Sequence, residues 1–126
     1  MRLLEELRRK GVRHLNVGWA KFTLLSMPYI EVDGHELDGV TDFSEYSITL
    51  SEKLNIDASK RTLLHEIWHC ILAGMWMEDR GPEYGDAAGM VHISNEDLAE
   101  NITRGTMLFR SLNPQLWEVL LNPRPQ

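Results

Sequence analysis

Cysteine is nearly absent: the 126-residue chain carries one, Cys70. A single thiol cannot form an intrachain disulfide, so the fold has to rest on its core, and the usage fits a reducing compartment. Positive charge is also short, with 13 Lys and Arg against 19 Asp and Glu and a formal net charge of −6. An acidic chain is poorly suited to general binding of a phosphate backbone, so nucleic acid is not the expected partner. No run of eighteen apolar residues occurs, which argues against a membrane-spanning helix. Arg2, Glu5, Glu6 and Arg8 break up the N-terminus and leave no apolar core of signal-peptide length. The expected location is therefore the cytoplasm. What remains is ordinary globular composition, 43% hydrophobic and 25% charged. Its length predicts one domain over residues 1–126.

Charge is unevenly spread. Residues 1–21 hold Arg2, Arg8, Arg9, Lys10, Arg13 and Lys21 against Glu5 and Glu6, and residues 31–57 are acidic. The basic start reads as the solvated face of a short amphipathic helix, with Leu3, Leu4 and Leu7 inward and Gly11 as its stop. Two β-leaning pieces follow, around Leu15–Val17 and Trp19–Leu25. Pro28 interrupts, a short alternating run covers Tyr29–Val32, and Asp33-Gly34 and Asp38-Gly39 are turn signals. After a polar loop, Ser47–Leu50 reads as another short strand.

The strongest helix signal covers about residues 58–77, with Asp57 as its expected N-cap. Its middle, Leu63 to Leu72, is apolar nearly all round, the pattern of a central, buried helix. Asp79 to Pro82 ends it, and residues 78–90 read as a surface loop. Ser94 and Asp97 resemble a capping box opening a helix over about 95–111, with Leu98, Ile102 and Phe109 on its core side. Asn113-Pro114 starts a last short helix carrying Leu116, Trp117, Leu120 and Leu121. Pro123 and Pro125 mark a tail.

Within the strong helix lies His65-Glu66-Ile67-Trp68-His69, an H-E-x-x-H. Four residues make just over one turn, so both imidazoles project from one face and can share a zinc ion at about 2.0–2.1 Å. Glu66 can reach a water activated by that ion without being a ligand. A shuffled chain of this composition yields the pattern on the order of one time in a hundred. The mid-helix apolar setting adds weight, because polar side chains there are costly unless satisfied or functional. The competing reading is a pair of core histidines bonded to backbone or carboxylate. A catalytic zinc needs a third protein ligand. Metzincin spacing would place glycine at position 72 and histidine at position 75, and the chain has Leu72 and Met75. The remaining donors are His92, Glu96, Asp97 and Glu100. Glu96 and Glu100 lie four apart on one helix face, with Asp97 turned about 100° away.

The string from Thr62 to His69, followed by Glu96-Asp97-Leu98-Ala99, resembles the short zinc metallopeptidases of the ImmA/IrrE type, and more closely their compact phage and prophage versions. The stretch Glu100 to Gly105, running on to Asn113-Pro114, shares that resemblance, which covers roughly residues 46–121. It implies an α+β fold with a zincin-like core: a small sheet of about three strands, three to four helices and a central H-E-x-x-H helix. It implies Zn²⁺ held by His65, His69 and Glu96, with Glu66 as catalytic glutamate. One departure is Glu100, where many relatives have asparagine after the E-x-x-A alanine. Glu100 then either supports a histidine ligand or is itself the third ligand.

The expected activity is hydrolysis of peptide bonds, with a protein or peptide substrate. The resemblance suggests a phage-encoded protein in a bacterial cell and a repressor among its substrates. The alternative is a non-catalytic, zinc-stabilised regulatory or binding protein. Tyr84 and His92 are the nearest candidates for an oxyanion-stabilising group, though each reads more simply as a loop residue. Trp68 and Trp76 read as core, Cys70 as a small buried hydrophobe, and His14 and His35 as surface residues.

Overall fold

A computed structural model describes residues 1–74 and 95–121, with backbone alone for Asn95, Asp97 and Ala99. The architecture of the described residues is α+β, with four helices and a small mixed sheet. Met75, Trp76, the helix end at Asp79 to Pro82, the 78–90 loop, Tyr84, His92, the Ser94 cap and the tail prolines lie outside the described residues.

Helix α1 (Arg2–Arg9) buries Leu3, Leu4 and Leu7, as the spacing predicts. Its end is closed by two reversed hydrogen bonds, Gly11 N to Arg8 O at 3.0 Å and Val12 N to Leu7 O at 2.9 Å. They satisfy carbonyls the helix would otherwise leave open. Strand β1 (His14–Asn16) pairs antiparallel with β2 (Lys21–Met27). Strands β3 (Glu31–Val32) and β4 (His35–Glu36) form a separate hairpin over Asp33 and Gly34. Both turn residues have positive φ, 53° and 80°, as a two-residue turn of matching twist requires.

The sheet has four strands rather than about three, in the order β1-β2-β6-β5. The additional strand is β5 (Gly39–Asp42), antiparallel to β6 (Ser47–Ser51), which runs parallel to β2. Asp38-Gly39 is therefore not a second turn, since Gly39 begins a strand and pairs with Leu50. The turn from β5 to β6 is instead held by Asp42. The Ser44 hydroxyl, then the Glu45 and Ser44 amides, donate to its carboxylate and hold its pKa below the usual range.

Helix α2 (Ile56–Gly74) lies on β5 and β6. Its cap is Asn55, not Asp57: Asn55 Oδ1 accepts the Ala58 amide at 2.8 Å, and Asp57 sits inside the first turn. Nor is the helix sunk on all sides. Leu63, Ile67, Cys70 and Ile71 are buried, while Leu64, Trp68 and Leu72 are half-buried. Helices α3 (Asn95–Leu112) and α4 (Pro114–Leu121) meet at Asn113. Asn113 anchors them to β1: its Oδ1 accepts the Asn16 amide at 2.8 Å and its Nδ2 donates to the Asn16 carbonyl at 2.6 Å. Phe109 is buried as expected, Leu98 is half-buried, and Ile102 is 41% exposed. In α4 Leu116, Val119 and Leu120 are buried, and Leu121 points out. One hydrophobic cluster joins α1, the sheet, α2, Phe109 and α4.

Candidate metal centre and its cleft

The geometry of the site begins at the Asn55 cap, which fixes the rotational phase of α2. From there Thr62 and Glu66 fall on the face toward β5, while Arg61, His65 and His69 fall on a face turned toward solvent. The two rings meet nearly edge-on, with His65 Nε2 and His69 Nε2 3.0 Å apart and the ring planes at 78°. Two nitrogens bound to one tetrahedral zinc at about 2.0–2.1 Å stand roughly 3.4 Å apart. The pair is thus within a few tenths of an ångström of that spacing on its ring-edge nitrogens, and its donor chemistry fits the ion.

Of the competing reading, core histidines bonded to backbone or carboxylate, the burial part does not describe these rings: His65 is exposed and His69 half-buried. Of the three motif residues only Glu66 is buried, at 7% exposure. Its Oε2 accepts a hydrogen bond from the Thr41 hydroxyl of β5 at 2.7 Å. A buried carboxylate so held has part of its desolvation cost offset.

His65 and Glu66 line a cleft of about 340 Å³ whose other walls are Leu37, Asp38, Gly39, Arg61 and Thr62. A larger cavity of about 670 Å³ lies between α3 and α4, around Met107, Arg110, Trp117 and Leu121. It contains none of the motif, so the smaller cleft matters for its lining and not its size.

The third ligand expected from the sequence lies on α3. Glu96 is exposed in the first turn of α3, and Glu100 pairs with Arg104 one turn on at 2.8 Å. Among the described residues no three His, Cys, Asp or Glu side chains converge as a metal-binding group. Among the described residues the structure thus brings His65 and His69 together on the helix that carries Glu66, with no third donor grouped with them. Trp68 packs on the core, Cys70 is fully buried, and His14 and His35 are exposed, all as expected.

Sequence reasoning missed Thr41, Asp38 and Arg61. Arg61 was findable, since it precedes His65 by four residues and shares its helix face. Thr41 was not: a four-residue strand, Gly39-Val40-Thr41-Asp42, opens on glycine and closes on aspartate, both poor strand formers. No helix of the described residues is long and apolar enough to cross a membrane. No protein-family model matches the chain, and neither the curated proteins nor the solved structures give a match.

Proposed function

We propose that the protein is a zinc-dependent peptidase with a zincin-like core, in which His65, His69 and Glu96 hold the metal and Glu66 is the general base. The observation that carries this reading is the close imidazole pair beside a buried, hydrogen-bonded glutamate at the mouth of a cleft. Glu96 enters on the resemblance of the E-x-x-A opening of α3. When bound, zinc would polarise the scissile carbonyl and bring the pKa of water toward about 7. Glu66 takes the proton of the attacking water and delivers it to the leaving amine. The cleft walls, Leu37 to Gly39 with Arg61, Thr62 and His65, receive the peptide beside Glu66.

The test is Glu66→Gln in the full chain. Zinc content should be unchanged, and cleavage of unfolded casein should fall by about 10²–10⁴-fold, the usual contribution of a general base. Full retained cleavage would sink the mechanism. A second reading, a metal-stabilised binding protein, is favoured by one observation, that only two donors face each other among the described residues. Anomalous scattering at the zinc edge would identify the metal and decide between Glu96, Glu100 and His92 as its third ligand.

A further inference from the structure

We propose that Thr41 is a positioning residue for the general base: its hydroxyl anchors Oε2 of Glu66 so that Oε1 is presented to the cleft. The proposal rests on the reading of Glu66 as general base. It begins with a match of two repeats. Gly39 and Thr41 lie two apart on β5 and share a face, spaced about 6.7 Å. Thr62 and Glu66 lie four apart on α2 and share a face, spaced about 6 Å along the axis. Strand and helix therefore meet in two rungs, Gly39 with Thr62 and Thr41 with Glu66.

At the first rung the approach is so close that a Cβ on Gly39 would sit 2.8 Å from Thr62 Cγ2 and 3.2 Å from Leu50 Cδ2. Glycine is the residue that lets the backbones come together there. At the second rung the gap is bridged by the Thr41 hydroxyl, 2.7 Å from Glu66 Oε2. Thr41 also pairs with Ile48 across the β5–β6 ladder, which fixes its backbone, and its branched Cβ restricts χ1.

The two oxygens of Glu66 differ in consequence. Thr41 is the hydrogen-bond partner of Oε2, and among the described residues no buried side-chain oxygen lacks a partner. Glu66 has no other side-chain hydrogen bond among those residues, and it lines the cleft. Oε1 is therefore the oxygen that reaches solvent on the cleft side. Thr41 itself is not part of the cleft wall, so it acts through Glu66 and not on a substrate.

The test uses the full zinc-loaded chain and a fluorogenic peptide built around a bond it cuts in unfolded casein. Thr41→Val keeps the shape and removes the donor. Its kcat should fall about 10–100-fold, the usual cost of losing such outer support, with KM within about twofold and zinc content unchanged. Thr41→Ser restores the hydroxyl and should return kcat to within about threefold of the parent. A readout independent of activity is the crystal structure of the metal-free variants. Glu66 should leave its place or take several conformers in Thr41→Val and keep it in Thr41→Ser. Should the valine variant fail to fold, Thr41→Ala takes its place.

Unchanged kcat in a Thr41 variant whose Glu66→Gln counterpart is silent overturns the positioning role and leaves the peptidase reading standing. So does a Glu66 carboxylate that stays put without the hydroxyl, or a loss of stability with no change in kcat. An active Glu66→Gln protein, or a parent that cuts nothing, overturns both.

Discussion

Gly74 shows how much one missing carbon decides. The Trp19 indole lies against it, and its Nε1 donates to the Cys70 carbonyl at 3.0 Å, in the last turns of α2. A Cβ on Gly74 would overlap that indole. Gly74→Ala should therefore displace Trp19 and break its hydrogen bond to the Cys70 carbonyl, at a cost of about 1 kcal/mol. Urea unfolding would measure it, and a shift in tryptophan emission would show that the indole had moved. An unchanged midpoint would mean the contact relaxes freely. Gly74 falls within the helix that the sequence predicts over about 58–77. Trp19 is 55 positions away along the chain, so nothing local could announce their contact. The histidine pair is the opposite case. Its geometry is set by a four-residue spacing on one helix, and the rings meet as that spacing requires.

At the scale of elements, α2 controls the site because its cap sets the phase of every side chain after it. Asn55 accepts the Ala58 amide through Oδ1, and its carbonyl accepts Ser59 N at 2.9 Å. Asn55→Ala should cost about 1 kcal/mol, the usual value for loss of an N-cap, read as a lower midpoint in thermal unfolding. A cost well under half of that would show that the helix start is held by tertiary packing. Reading the sequence placed the cap at Asp57, two residues late, because both Asn and Asp suit the role and the choice depends on where the chain leaves β6. The same limit hid β5. Four residues opening on Gly39 carry little strand propensity, and what makes them a strand is pairing with β6 and the close approach of α2. Ile102 was expected inward with Leu98 and Phe109. Its exposure shows that α3 buries a narrower stripe, ending at the Phe109 side where α4 and β1 meet it through Asn113.

For the molecule as a whole, the decisive relation is between the core and the site. The hydrophobic cluster ties α1, the sheet, α2, Phe109 and α4 together without either histidine. A fold held by that cluster is expected to stay closed without an ion. Stripping the metal with a chelator should therefore leave far-UV circular dichroism native-like while abolishing the proposed hydrolysis. Collapse of the spectrum on chelation would instead make the metal structural, as in domains whose binding and folding are one event.

By itself the sequence determined the α+β class, the amphipathic α1, the Asp33-Gly34 hairpin and the His65–His69 pair. Each depends on a period or a turn within a few residues of itself. Tertiary structure alone decided that Gly39–Asp42 is a strand beside α2 and that Thr41 holds Glu66. Those relations join segments distant along the chain, and the close packing that creates them exists only once helix, sheet and core are assembled.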